Sequence, residues 1–125
     1  VNRAVVDAGI ATRGLEALAT AGWDLRGPST LFGVTVLLSN VVSNVPAVML
    51  LLPAATHPSA GAILALASTL AGNLLIVGSI ANLIVIDQAG TLGVRIDWRT
   101  HARVGVPVTV ATLALAAGWL SLRSL

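Results

Sequence analysis

Hydrophobic positions dominate this chain in long runs, so the polar residues that interrupt those runs carry most of the information. The last run, VGVPVTVATLALAAGWLSL from Val104 to Leu122, is uninterrupted. As a helix it is about 28 Å long, close to a hydrocarbon core of about 30 Å. Pro107 falls in the first turn of a helix starting there, where a missing N–H is tolerated. Arg103 and Arg123 bracket the run, and Trp119 suits an interfacial anchor. The run from Ser29 to Thr56 behaves differently. As one helix it would reach about 42 Å, too long for a comfortable span. Its centre is SNVVSNVP, Ser39 to Pro46. On either side, Thr30 to Leu38 and Val45 to Thr56 are about 14 Å and 18 Å, each near half a bilayer. The pattern predicts a re-entrant helical hairpin over 29–56, or alternatively one long tilted helix kinked at Pro46.

HPSAG, from His57, reads as a turn in which Ser59 can cap the next helix. The following run, 59–88, contains AGNLLIVGS. Gly72, Asn73, Gly78 and Ser79 there predict a discontinuous helix, unwound near its middle. The alternative is a straight helix whose small residues allow close packing. Two polar stretches connect the runs. ATRGLEALATAGWDLRGP carries both signs of charge, whereas DQAGTLGVRIDWRTHAR carries Arg95, Arg99 and Arg103. The second predicts a loop with a short surface helix, Trp98 at the interface, on the cytoplasmic side. His57 and His101 both fall in connectors and read as solvated. The opening 1–11 reads as the end of a preceding helix.

Composition fits a lipid solvent. The 125 residues are 56% hydrophobic and 10% charged, with a mean hydropathy of +0.93. Soluble domains are about a quarter charged. No Asp, Glu, Lys or Arg occurs between Gly27 and Ile86. A buried helical pair of a large enzyme is the soluble alternative, and it leaves that stretch without a solvated surface. The fold class expected is therefore all-α integral membrane: re-entrant hairpin, discontinuous transmembrane helix and final transmembrane helix. The absence of cysteine excludes disulfides and thiolate chemistry within the chain. All seven cations are Arg, and they are spread rather than clustered, which gives nucleic-acid binding no support. No His–Glu metal motif or Gly-x-Ser-x-Gly elbow occurs, so the chain is not expected to be an enzyme and needs no cofactor.

Irregular backbone at membrane depth is tolerated only inside protein or beside a water-filled cavity. Two breaks in adjacent segments therefore tend to meet. Together they offer amide and hydroxyl side chains, freed carbonyls and helix N-termini at one site. Such interruptions are the best sequence pointer to a secondary-transporter site. Ser39 and Ser43 are spaced i,i+4, as are Asn40 and Asn44, so each pair shares a face wherever the chain is helical. Asn44, just before Pro46, is placed at the hairpin tip. Ser39, Asn40 and Asn82 are further candidates, with interhelical hydrogen bonding as their alternative role.

SNVVSNVPAVMLL followed by LAGNLLIVGSIANLIV resembles the ion-transporter superfamily. Its members include arsenite/antimonite permeases, sodium/proton antiporters, and citrate or divalent-anion sodium symporters. The resemblance runs from about Val5 to the last span. It implies the C-terminal part of a citrate-transporter-like domain, the second repeat and thus half of an inverted-repeat transporter. Ser43 and Asn44 match the Ser-Asn that binds sodium and substrate at the hairpin tip, with Val45 where dicarboxylate symporters have Thr. Gly72, Asn73, Gly78 and Ser79 match the unwound helix. The resemblance thus implies substrate and ion binding at these residues, with Na+ as candidate coupling ion at Ser43, Asn44 and Asn73. The valine weakens a carboxylate substrate. Ser43 stands where proton antiporters carry an acid, and proton exchange needs a titratable group near the midplane.

The function expected is a secondary transporter, or permease, for a small anion, ion-coupled. An arsenite/antimonite-type metalloid efflux permease is the alternative, since arsenite is mostly neutral at pH 7. A non-transporting membrane scaffold or degenerate half-protein is the alternative of another class. The expected partners are the lipid bilayer, the N-terminal half of the same transporter, the small anion or metalloid, and a second copy in a homodimer. The expected location is a bacterial or archaeal inner membrane.

Overall fold

The computed structural model describes residues 20–123, together with 13, 16 and 17. The helix end expected over 1–11 lies outside the described residues. Among the described residues there are helices and no strands.

Helix α1, Pro28–Val42, starts where the sequence changes from polar to apolar. Pro28 occupies its first turn, where its fixed φ suits a helix and its missing N–H is not needed. Helix α2, Asn44–Leu51, follows after one residue and runs into a 3-10 turn, Leu52–Ala54. Pro46 sits within the first turn of α2, so it opens that helix rather than kinking a longer one. Leu31 near the start of α1 and Leu51 at the end of α2 belong to the same core cluster. In one straight helix they would lie about 30 Å apart. The chain therefore folds back at Ser43.

Helix α3, Ala60–Ala71, is the central element. One face, Ala60, Ile63, Leu64, Ala67, Ser68 and Ala71, is buried. This is the three-and-four spacing of a packed helix stripe. The alanines and serine keep the face thin, so α1, α2 and α5 can all pack on α3. Leu25, Leu31, Val34, Leu51, Ala60, Ile63 and Leu64 form the core, with Leu120 against its edge. Ser59 stands at the α3 N-cap, but its hydroxyl makes no capping bond there. Instead its N–H donates to His57 Nδ1 at 3.1 Å. His57 thus holds the turn and is not simply solvated.

After α3 the chain unwinds and forms a short 3-10 turn, Ile76–Gly78, before α4, Ile80–Thr91. Helix α4 ends in a Schellman motif. Gly93, with φ 77°, donates to the Gly90 carbonyl, and Val94 N–H donates to the Ala89 carbonyl at 2.9 Å. The expected surface helix in the polar connector is absent. Residues 87–91 belong to the end of α4, 92–97 form the connecting loop, and 98–103 open α5.

Helix α5, Trp98–Arg123, has 26 residues and begins earlier than the hydrophobic run suggested. Asp97 caps it, accepting the Thr100 N–H at 2.7 Å. Pro107 consequently lies inside the helix and not in its first turn. There it removes the N–H that would bond the Arg103 carbonyl. Arg99 stacks on Trp98 at 5.3 Å and Arg123 on Trp119 at 4.7 Å. The two tryptophans are about 32 Å apart along the helix, close to the thickness of a hydrocarbon core. Helix α5 is long and apolar enough to cross a membrane, and most of its valines and leucines are exposed.

Candidate functional site

The two breaks meet. Ser43 ends α1 with φ 74° and ψ 161°, a region that non-glycine residues rarely enter. This corner starts a new helix at Asn44, so the i,i+4 pairs are split between two helices. Asn40 stays on α1 and Asn44 leads α2, yet both amides reach the second break. The Asn44 side chain lies on Gly72, where a Cβ would sit 2.9 Å from its Nδ2 and 3.2 Å from its Oδ1. Asn40 Oδ1 lies against Gly78, 3.0 Å from where a Cβ would stand. That same position is 3.2 Å from the Gly72 carbonyl oxygen, so the two ends of the unwound segment touch. A side chain at either point would have to move its neighbours: at Gly72 the end of the Asn44 side chain, and at Gly78 the Asn40 amide together with the less yielding Gly72 carbonyl.

The freed carbonyls of the break are partly satisfied from nearby. Asn82, one turn into α4, donates through Nδ2 to the Gly72 carbonyl at 2.9 Å and lies 3.4 Å from that of Leu75. The Asn73 carbonyl turns toward α5, 3.1 Å from His101 Nε2. The Asn73 side chain is exposed. Ser79 is extended at the N-cap of α4, with no side-chain capping bond. Val45 is exposed beside the corner.

Three oxygens near the meeting point are buried without a partner: Ser39 Oγ, Asn40 Oδ1 and Asn44 Oδ1. Asn40 donates its Nδ2 to the Val36 carbonyl at 2.9 Å, which orients its oxygen outward from α1. An unsatisfied buried acceptor is costly, of order 1–3 kcal/mol, and points to a missing donor or cation. No charged side chain comes from α1, α2 or α3, so the cluster is electrically neutral. Among the described residues no group of three or more His, Cys, Asp or Glu could hold a metal ion. Any cation would have to be one that accepts amide, hydroxyl and carbonyl oxygens.

A cavity of about 370 Å³ borders the break at Asn73, lined also by Thr100, His101, Val104 and Gly105. Sequence reasoning placed His101 in a solvated connector and singled out neither Gly105 nor Thr109. His101 reads as a connector residue only while α5 is started too late. Thr109 has a fully buried hydroxyl with no partner, and it lies one turn beyond Gly105 on α5. Its helical spacing from Gly105 was the available signal.

No family model matches the chain, and no solved structure matches it. Curated proteins do. It is 32% identical over 117 residues to a 46 kDa membrane protein of Mycobacterium leprae (strain TN), covering 85% of this chain and 27% of that protein. It is 37% identical over 104 residues to the silicon efflux transporter LSI3 of Oryza sativa subsp. japonica, covering 73% of this chain and 21% of that one. It is 36% identical over 90 residues to a Dictyostelium discoideum protein named as transporter arsB, covering 68% and 16%. These relatives are membrane proteins and transporters by name. The chain spans between about a sixth and a third of the length of such relatives.

Proposed function

We propose that this chain is part of a secondary membrane transporter. In this reading α1 and α2 are a re-entrant hairpin, α3 and α4 are the halves of a discontinuous helix, and α5 is a full span. The small solute binds where the breaks meet, among Asn40, Asn44, Gly72 and Gly78. The observation that carries the reading is the convergence of two amides from one break on the glycines of another, with their oxygens buried and unpartnered. Backbone of this kind belongs at a site and is expensive as mere packing. The transporter names of the relatives support the same reading.

The chemistry of the orphan atoms narrows the solute. Asn40 Oδ1 and Asn44 Oδ1 are acceptors and Ser39 Oγ can accept or donate, so the set suits a small uncharged hydroxylated species, whose O–H groups do both. Silicic and arsenious acids are of that kind at neutral pH, and one relative is named for silicon efflux. A small anion is the second reading, and the lack of any fixed cation in the cluster bears on it. An anion would need Na+ at the amide oxygens or the positive end of α2 or α4 to offset their repulsion.

Asn44 separates these readings. The complete protein in proteoliposomes should move one of arsenite, silicic acid, phosphate, sulfate or citrate, and Asn44→Ala should reduce that flux by roughly tenfold or more, equivalent to about 1.4 kcal/mol. Asn44→Asp keeps the acceptors and adds charge. It should preserve transport of an uncharged solute in the absence of Na+ and suppress transport of an anion. Full activity of Asn44→Ala for every solute, in correctly inserted protein, would reject the site.

A further inference from the structure

We infer that His101 and Gly105 of α5 form a clamp on the Asn73 carbonyl, and that this clamp positions the unwound segment for solute binding. The second half of the inference rests on the transport reading above.

The geometry is specific. Asn73 and His101 are 28 residues apart, and Nε2 lies 3.1 Å from the Asn73 carbonyl oxygen. A carbonyl can only accept, so Nε2 carries the proton. His101 sits in the first turn of α5, and its backbone N–H is bonded to the Asp97 carbonyl at 3.0 Å. The ring is therefore carried by a capped, regular helix. One turn on, Gly105 supplies the space. A Cβ there would stand 2.7 Å from the Asn73 oxygen and 3.1 Å from His101 Nε2. A backbone oxygen cannot give way as the end of a flexible side chain could. The carbonyl is thus held from one side by a donor and admitted on the other by a missing side chain.

What the clamp holds is the start of the break. Asn73 follows Gly72, whose carbonyl is held by Asn82 and whose Cα faces Asn44. Successive carbonyls of the unwound segment are therefore pulled to different helices, the Gly72 oxygen by α4 and the Asn73 oxygen by α5. Opposed anchors fix the peptide between them, and with it the surface on which Asn44 rests. His101 bonds the Asn73 carbonyl rather than the amides of Asn40 or Asn44. It is a positioning residue, acting through Asn73.

The test uses the complete protein in detergent and in proteoliposomes. His101→Ala removes the donor, Gly105→Ala crowds both the carbonyl and the His101 ring with a new Cβ, and His101→Gln returns an N–H donor. Amide hydrogen exchange across 72–79 is the deciding measurement. His101→Ala and Gly105→Ala should each speed exchange there roughly three- to tenfold, the range one hydrogen bond carries, with α1 unchanged and His101→Gln close to wild type. Transport of arsenite or silicic acid should show the half-saturating concentration raised by a similar factor, with the maximal rate per inserted protein nearly constant. Unchanged exchange in both disrupting variants would overturn the clamp. So would faster exchange throughout α3 and α5 that His101→Gln does not reverse, since that is general destabilisation. If wild type transports none of the probes, the transport reading fails, and exchange still decides whether the clamp exists.

Discussion

Ser43 is the residue on which the α1–α2 corner turns. Its φ of 74° with ψ of 161° belongs to a region occupied almost only by glycine, at a cost of order 1–3 kcal/mol for other residues. Serine there is therefore not explained by backbone preference. Ser43→Gly should raise thermal stability by about 1 kcal/mol, after allowing for glycine's larger entropy in the unfolded chain. If the hydroxyl is a ligand, the same variant should lower solute affinity. A differential scanning measurement in detergent beside a flux assay reads both effects. A fall in stability would mean that the Ser43 side chain holds the corner. The glycines at 72 and 78 obey a different rule. Their φ values are not at issue; the amides of Asn44 and Asn40 stand 2.9 Å and 3.0 Å from where a Cβ would be.

At the scale of the element, α5 shows how a terminus is decided by a local contact. The Thr100 hydroxyl and then its backbone N–H lower the pKa of Asp97 below the usual carboxylate range, with Arg103 adding a Coulombic share. A depressed folded-state pKa means stabilisation that is fully present above the unfolded value of about 3.9. It is lost as pH falls through the folded value. The helix start should thus be insensitive to pH between neutrality and about pH 5, and should loosen only on stronger acidification. Circular dichroism melts against pH should show an acid limb in wild type that is shallower in Asp97→Asn. The same early start moves Pro107 into the helix interior and brings His101 onto a helical turn. Both were misplaced in sequence reasoning because hydropathy marks where lipid-like composition begins, and a helix begins at its cap. The polar turn Trp98–Arg103 is helical but not apolar.

Across the whole molecule, α3 is the part on which the others depend. Ala67 is fully buried in the middle of its packed face. Ala67→Leu should force neighbouring helices apart and destabilise by about 1–3 kcal/mol, read as a lower melting temperature of the complete protein. It should also weaken solute binding, since the Asn44–Gly72 approach depends on that spacing. Helix α4 is the opposite case. None of its residues is buried, and Ile80, Leu83, Ile84 and Val85 are exposed. Together with the bare face of α5, this leaves an apolar surface that suits lipid or a protein partner better than water.

The sequence by itself determined the helical class and the apolar character and marked the stretches open to a break. Those follow from composition and from residues with strong local preferences: Pro46, Gly72 with Asn73, and the uncharged stretch from Gly27 to Ile86. It also marked Asn40, Asn44 and Asn82, because an amide in an apolar run must find a partner. Only the tertiary structure decided what each meets: Asn82 bonds the Gly72 carbonyl, while the Asn40 and Asn44 oxygens lie against Gly78 and Gly72 without a hydrogen-bond partner. The fold-back at Ser43 rests on a shared core between Leu31 and Leu51. The contact of Asn44 with Gly72 and the hold of His101 on Asn73 join residues 28 apart in the chain. Local preference reaches about one helical turn, whereas these contacts depend on how three helices pack on the thin face of α3.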